Sequence, residues 1–283
     1  MKQRTWWKYI VAVFVSLVYL TPFYVVLSVS FKLSFDPTSR WIFPAYFGAD
    51  MPADSPHFGP FFLGNYITAL HGKIVQGIFD SVIITACSVL LIVIVGALAA
   101  YPLARNRSRL NRGIRAFVLV VMMVPQLSII VPIYALVRNL KMGSTFQGII
   151  VLLVTFALPL SIFIFENFIA SIPHELDEAA AIDGCSPLRT FFNIIMPQLG
   201  PVTTSVIILT GVSCWNDFQF SLYILQKPQI TSVTLAISGF FAQVGSDVFG
   251  AAAAAALGVI PVTVVFLFLQ KYFIKGMVDS AIK

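Results

Sequence analysis

Long apolar runs, separated by short stretches that carry the charges, dominate the hydrophobic pattern of the chain. Each run has the roughly 20 apolar residues that a helix needs to cross the hydrocarbon core of a bilayer. The runs are continuous, whereas the strands of a membrane β-barrel alternate apolar and polar positions, so helices are favoured. The pattern therefore predicts an all-α, polytopic membrane protein with six transmembrane helices. These are placed at residues 9–31, 78–101, 116–137, 146–165, 202–225 and 251–273.

The composition agrees with lipid as the solvent for most of the chain. Of 283 residues, 58% are hydrophobic and only 11% are charged, and the mean hydropathy is +0.90. Soluble domains have about 45–50% apolar and about 25% charged residues, because a surface in water must be covered by polar groups. The composition therefore argues against a soluble enzyme, a DNA-binding module and a disordered linker.

Basic residues are distributed unevenly between the two sides of the membrane. With the N-terminus in the cytoplasm, twelve of the 18 Lys and Arg residues fall on the cytoplasmic side and six on the other. Because an excess of Lys and Arg marks cytoplasmic loops, both termini are predicted to be cytoplasmic. This topology accounts for the net charge of +6, and no nucleic-acid partner is expected.

The pattern divides the chain into three segments. Residues 1–31 are predicted to be an N-terminal transmembrane helix, and residues 77–283 a core domain of five transmembrane helices. Between them, residues 32–76 are rich in Pro and aromatic residues and are expected to form a mostly irregular extracytoplasmic segment. A second outer segment, residues 226–250, is expected to form a re-entrant or scoop-like loop.

A cytoplasmic loop at residues 172–201 has the features of two short helices joined by a bend. Acidic residues in its first turn suit the positive end of a helix dipole. Gly184 provides a left-handed residue that ends the first helix, and Ser186 and Pro187 begin a second helix as N-cap and first residue. This second helix is predicted to run until Pro197 breaks it.

Two interpretations of this loop remain open from the residues alone. Three successive alanines, at 179–181, would form a bare surface on which another protein could dock closely, oriented by the flanking carboxylates and Arg189. The alternative is an ordinary interfacial helical hairpin that connects two spans.

The spacing of residues within the loop is long and specific. In order, it comprises Glu178, Ala179, Ala180, Gly184, Ile194, Met196 and Pro197. This pattern resembles the EAA signature of ABC importer permeases. The one departure is Met196, where that family usually has Leu, and the exchange conserves volume.

Three further segments, residues 96–105, 215–218 and 268–277, resemble the carbohydrate-uptake branch of that family. Within the branch they are most similar to the smaller permease subunit of the maltose importer. Asp217 departs from the pattern, which often has Glu at this position. The resemblance covers residues 63–283, extends more loosely to the first span, and leaves the role of the Pro-rich segment open.

The resemblance implies a type I, maltose-transporter-like fold and a permease subunit of an ATP-binding-cassette importer in a bacterial inner membrane. Such a subunit forms half of the translocation pathway for a sugar or oligosaccharide that an extracytoplasmic binding protein delivers. The expected partners are a second homologous permease, two cytoplasmic ATPase subunits and membrane lipid. ATP and Mg are expected on the ATPase subunits, with no cofactor or metal on this chain. The chain is not expected to be an enzyme, since it has no Walker-type glycine loop.

The resemblance assigns contact with the ATPase subunits to five residues of the loop, Glu178, Ala179, Ala180, Asp183 and Gly184. Arg189 joins the predicted coupling residues because its charge could orient a docked partner.

A polar and aromatic cluster inside the fifth span is a candidate substrate pathway. It comprises Trp215, Asn216, Asp217 and Phe218. A carboxylate within a span is costly and should face a wet cavity or a partner, and carboxylates, amides and aromatic rings are the groups that hold sugars. The alternative is that the aromatic residues are interface anchors and Asp217 makes a gating or inter-subunit contact. That alternative is favoured for direct binding, because the larger permease supplies most sugar contacts in maltose-type importers.

Two other classes of function compete with the importer interpretation. A stand-alone secondary transporter or channel would need a chain of ionisable groups within the membrane, which the sequence lacks. An intramembrane enzyme would need a motif such as H-E-x-x-H, and the three His all lie outside the predicted spans.

Overall fold

The computed structural model describes residues 6–32, 56–58, 61–241 and 247–281, although the side chains of residues 57, 269 and 271–281 are outside that description. The first helices are α1 (Trp6–Ser30), α2 (Gly64–His71), α3 (Ile74–Arg105), α4 (Arg109–Met122), α5 (Ile130–Asn139) and α6 (Phe146–Ser171). They are followed by α7 (Glu175–Ile182), α8 (Pro187–Thr190), α9 (Gly200–Trp215), α10 (Gln219–Ile224), α11 (Val233–Ser238) and α12 (Val248–Ala281). A short antiparallel hairpin pairs β1 (His57–Phe58) with β2 (Phe61–Phe62). The predicted all-α class is confirmed.

Five helical segments among the described residues are long and apolar enough to cross a membrane. They are Trp6–Ser30, Ile74–Arg105, Phe146–Ser171, Pro187–Trp215 and Val248–Phe268. Each overlaps one of the predicted spans, because a continuous apolar run in lipid can satisfy its backbone hydrogen bonds only within a helix.

The remaining predicted span, residues 116–137, is not a single helix. Helix α4 ends at Met122, and the helical structure that resumes at Gln126, as a single 3₁₀ turn leading into α5, is bent by 93° relative to α4. Pro125 lies in this break. Proline has no backbone N–H, and its ring clashes with a preceding carbonyl inside a helix, so the chain turns at this point.

Pro197 does not break the second helix of the cytoplasmic-loop sequence, contrary to the prediction. Helical structure continues from α8 through a π-helical turn at Phe191–Ile195 and a 3₁₀ turn at Met196–Leu199 into α9. A widened turn followed by a tightened one changes the hydrogen-bond spacing around the proline, so the helix can continue.

The fifth span also stops earlier than predicted. Helix α9 ends at Trp215 instead of continuing to residue 225, and the short α10 begins at Gln219 after a turn. The four residues of the candidate pathway therefore lie at and just beyond the end of a helix.

The chain divides into two compact units, one of Met1–Val75 with Ala236–Ile260 and one of Gln76–Leu235 with Pro261–Lys283. In the first unit, the Asn65 side-chain amide donates to the carbonyls of Ser30 at 2.9 Å and Lys32 at 2.6 Å, which ties α2 to the end of α1. Residues 33–55 and 59–60 of the Pro-rich segment, and residues 242–246 of the second outer segment, lie outside the described residues.

The core of the second unit lies where α3, α6 and the run from α8 to α9 pack together. Its fully buried side chains include Ile92, Ile149, Phe165, Phe191 and Val206. Helices α3 and α6 approach closely at Gly96, where an added Cβ would lie 3.1 Å from the Ser161 Cβ. Small residues at such positions let membrane helices pack by van der Waals contact.

The second unit has two ends, which we call the Arg105 end and the Gln76 end. The Arg105 end contains the last residues of α3 and α6 together with α7 and α8, and the Gln76 end contains the first residues of α3 and the chain after α9. A hydrogen bond between residues distant in sequence lies at each end. Arg105 donates to the Ile172 carbonyl at the first, and Gln76 donates to the Gln229 carbonyl at the second.

Candidate coupling site and pathway cavity

The bend between α7 and α8 has the backbone conformation that the sequence predicts. Gly184 has φ +77°, in the left-handed region that favours glycine, and nothing lies within 4 Å of a Cβ added there. Its N–H donates to the Ala181 carbonyl at 3.1 Å, while the Ser186 hydroxyl accepts from the Arg189 N–H at 3.4 Å as the cap of α8. Helix α7 thus ends and helix α8 begins within a few residues of Gly184.

Most of the predicted coupling residues are exposed. Exposed positions are Glu178, Ala179, Asp183, Gly184 and Arg189, whereas Ala180 is buried. The structure therefore leaves five of the six accessible around the bend, and Ala180 packs inward.

Two apolar residues on this surface were not identified from the sequence. Ile182 and Leu188, on either side of the bend, are 87% and 65% exposed. Large apolar side chains next to a loop glycine are the signal that could have identified them. Large apolar side chains that are exposed to this extent are typical of surfaces that bind another protein.

One carboxylate of α7, that of Asp177, faces α3 instead of the exposed surface. Asp177 lies 2.9 Å from an Arg105 guanidinium nitrogen and accepts a 2.6 Å hydrogen bond from the Tyr101 hydroxyl. Sequence reasoning singled out the segment 96–105 but not this contact. The available signal was the four-residue spacing of Tyr101 and Arg105, which places both side chains on one face of a helix.

A second ion pair lies near the same end. Arg115 of α4 and Glu166 of α6 are 2.6 Å apart, and the Arg115 guanidinium also donates to the Leu103 carbonyl of α3. Glu166 is thus engaged in holding α4 against α6.

At the Gln76 end, Asp217 caps α10. Its carboxylate accepts from the backbone N–H of Phe220 at 3.2 Å and of Ser221 at 2.9 Å, and from the Ser221 hydroxyl at 2.9 Å. A carboxylate that satisfies the free N–H groups of a first turn both starts the helix and lowers the cost of its own burial.

Asp217 also lines a cavity of about 150 Å³. Gln126, Thr210, Ser213 and Phe156 also line the cavity. Gln126, which belongs to the broken third span, is a residue that the sequence did not mark as part of the pathway.

The four predicted pathway residues do not converge on this cavity. Trp215 is buried and lines a different, apolar groove that includes Val82 and Pro261, while Asn216 and Phe218 are exposed. Successive residues around a helix end point in different directions, so adjacency in sequence does not bring these side chains together.

The chain after α10 returns to the first turns of α3. The Asp80 carboxylate accepts from the Thr231 N–H at 3.0 Å, and the Ser81 hydroxyl accepts from the Val233 N–H at 2.8 Å. Thr234 donates to the Asp217 carbonyl at 2.5 Å. Through these bonds residues 226–235 fix the turn that carries Asp217. They are the first part of the outer segment 226–250, which was expected to be re-entrant or scoop-like.

Among the described residues, no three or more His, Cys, Asp or Glu side chains cluster in a way that could hold a metal ion.

A family profile described as "Binding-protein-dependent transport system inner membrane component" matches residues 92–279. The chain belongs to this family. Its members are the membrane permeases of ABC importers, which work with ATPase subunits and a binding protein. The predicted family is confirmed, and a stand-alone secondary transporter or channel is not favoured.

Curated relatives match nearly the whole chain. The melibiose/raffinose/stachyose import permease protein MelC of Bacillus subtilis is 37% identical over 275 residues, covering 97% of this chain and 95% of the relative. The multiple sugar-binding transport system permease protein MsmG of Streptococcus mutans is 31% identical over 287 residues, covering 100% and 98%. Among solved structures, a bacterial ABC transporter involved in the import of the acidic polysaccharide alginate has a chain with TM-score 0.75 and 18% identity, covering 96% of this chain and 98% of that one. This likeness confirms the ABC importer permease fold.

We predict that Asp217→Ala lowers the free energy of unfolding by about 1 kcal/mol, because α10 loses its cap. Asp217→Asn should lower it less, since its single amide oxygen can still accept from one of the two N–H groups that the two carboxylate oxygens now share. Thermal unfolding of the purified subunit in detergent measures both, with the exposed Asp183→Ala as the control. Equal destabilisation by Ala and Asn would contradict a capping role.

Proposed function

We propose that this chain is one half of the translocation pathway of an importer for sugars or oligosaccharides, paired with a second, homologous permease. In this proposal both termini and the loop at 172–201 face the cytoplasm, where two ATPase subunits bind ATP and Mg and perform all hydrolysis. The observation that carries the proposal is the exposed surface around the bend at Gly184, located in the signature by which the family was recognised.

The sugar class is supported by the relatives. Permeases named for melibiose, raffinose and stachyose import and for multiple sugars are similar over at least 97% of this chain. Coverage of this extent includes the pathway-lining helices as well as the loop, and this supports a related cargo.

The coupling role is supported by the shape and charge of the exposed surface. Ile182 and Leu188 provide apolar area for docking, and Glu178 and Arg189 provide charges of both signs that would set the orientation of a partner. In this proposal Gly184 keeps α7 and α8 at a fixed angle, so that displacement by the ATPase moves both helices as one body.

The cavity beside Asp217 supports a shared pathway. Its volume of about 150 Å³ is below the roughly 300–1,000 Å³ of typical ligand pockets. Its lining includes Asp217, Gln126, Ser213 and Phe156, and carboxylate, amide, hydroxyl and aromatic side chains are the types that suit a sugar. A facing surface on the second permease would complete it.

We predict that the complex, reconstituted in proteoliposomes with its binding protein and ATPase subunits, imports radiolabelled raffinose or melibiose in an ATP-dependent manner. Methionine, an amino-acid cargo, is the matched negative substrate. Uptake of methionine without uptake of any sugar in a panel of di-, tri- and tetrasaccharides would contradict the proposed cargo class.

We further predict that Gly184→Val leaves the complex assembled but uncouples ATP hydrolysis from import. A β-branched residue is strained at φ +77°, so the bend must rearrange although no neighbour is displaced. Gly184→Asn is the matched control, since Asn tolerates the left-handed conformation. The measurement is sugar imported per ATP hydrolysed, and wild-type import by Gly184→Val would contradict the coupling role.

A further inference from the structure

Arg105 joins three elements at the base of the coupling loop. It is the last residue of α3, its guanidinium lies 2.9 Å from Asp177 in the first turn of α7, and it donates to the Ile172 carbonyl just after α6 at 3.0 Å. One turn earlier on α3, the Tyr101 hydroxyl donates to the other Asp177 oxygen at 2.6 Å. Both oxygens of one carboxylate are therefore held by side chains of a single membrane-spanning helix.

This contact is buried, in contrast to the other charges of α7. The side chains of Arg105 and Asp177 are only 11% and 12% exposed. The neighbouring His174–Glu178 pair has a 3.5 Å separation and exposed fractions of 56% and 69%. Exposed pairs contribute little because water screens them, whereas loss of one partner from a buried pair leaves an uncompensated charge.

Helix periodicity explains why Asp177 alone is buried. Asp177 and the buried Ala180 are three residues apart and lie on one face, while Glu178 and Ala179 are on the face that stays exposed. The inner face of α7 is thus attached to α3, and the outer face is available to a partner.

The chemistry of the contact suits the transfer of motion. Arginine stays charged at any physiological pH, and its planar fork can engage acceptors on two elements at once. The Tyr101 ring also packs against Phe191, at a centroid distance of 5.4 Å, in the helical run that leads into α9. Helix α7 therefore contacts α3 directly, in addition to its covalent connections to α6 and α8, so a displacement of α7 would also act on α3.

We propose that Tyr101, Arg105 and Asp177 form a strut that transmits movement of the coupling helix to α3. The three act as positioning residues for transport, and they touch neither nucleotide nor sugar. Without the strut, α7 still follows the ATPase, but α3 does not follow α7, and ATP is hydrolysed without import. This inference rests on the proposed coupling role of the loop.

The test is Asp177→Asn in the complete complex with binding protein, reconstituted in proteoliposomes. The near-isosteric amide removes the charge that holds Arg105. The expected result is a rise of at least about fivefold in ATP hydrolysed per sugar imported, the low end of typical coupling between sites, with the subunits still assembled. Glu175→Gln, an exposed acid on the same helix, is the matched control and should leave this ratio unchanged.

Two further variants separate transmission from simple stability. Tyr101→Phe keeps the ion pair and removes one hydrogen bond, so it should raise the same ratio by less. The double exchange Arg105→Asp with Asp177→Arg should restore part of the coupling that either single change loses. A wild-type ratio for Asp177→Asn would overturn the proposal. If Asp177→Asn does not assemble, a wild-type ratio for Tyr101→Phe would overturn it instead.

The Gly184→Val variant distinguishes this inference from the function on which it rests. Uncoupling by Gly184→Val together with normal coupling in Asp177→Asn would reject the strut and retain the coupling loop. Normal coupling in both would reject the coupling role of the loop itself.

Discussion

The rest of the structure depends on a constraint set by the bilayer, where every backbone N–H and C=O must find a partner within the protein. Continuous helices meet it in α3, α6 and the run from α8 to α9. Where helices stop inside the predicted spans, side chains or a polar cavity can satisfy the backbone groups that the helix no longer pairs. The Asp217 carboxylate accepts from the first N–H groups of α10, and the break at Pro125 lies beside the polar cavity that Gln126 lines. Irregular backbone within a membrane protein is tolerated where it lines such a cavity, and this links the breaks to the proposed pathway.

At the Arg105 end, the proposed coupling role requires α7 to be accessible to a partner and still be attached to the membrane helices. One face of α7 carries Asp177 and the buried Ala180, and the other carries exposed groups around Gly184. Arg115 and Glu166 hold α4 against α6 nearby, so the base of the loop is supported on several sides. In the proposed mechanism, these contacts let the loop move as a unit when the ATPase displaces it.

Much of this architecture could be predicted from the sequence, because apolar runs and a left-handed glycine act locally. The effects of two prolines could not. Pro197 lies between Ile195 and Leu199, which are 0% and 1% exposed, and the packed helix continues past it. Pro125 lies between the exposed Met123 and Leu127, and there the chain turns by 93°. Proline has the same low intrinsic helix propensity at both positions. The surrounding packing therefore decides whether the helix continues or the chain turns.

At the candidate sites too, features set by neighbouring residues could be predicted from the sequence, and contacts between distant residues could not. The exposed residues around Gly184 lie in a contiguous signature, whereas the contact of Arg105 with Asp177 joins positions 72 residues apart. The four-residue spacing of Tyr101 and Arg105 indicates only that these two side chains share a face of α3. Asp217 was expected to face a wet cavity or a partner, and it lines a cavity. Trp215 lines a different, apolar groove, because side chains two residues apart on and after a helix turn do not share a face.

The most direct test of the central claim, that this importer is driven from the cytoplasm through the bend at Gly184, is chemical accessibility at Ile182. In a variant with Cys87, Cys185 and Cys214 replaced by Ser, Ile182→Cys supplies a single reactive thiol at an exposed position. A membrane-impermeant maleimide should label it in inside-out vesicles that lack the ATPase subunits, and assembly with those subunits should protect it. Labelling from the outside of intact cells, or unchanged labelling in the assembled complex, would contradict the account.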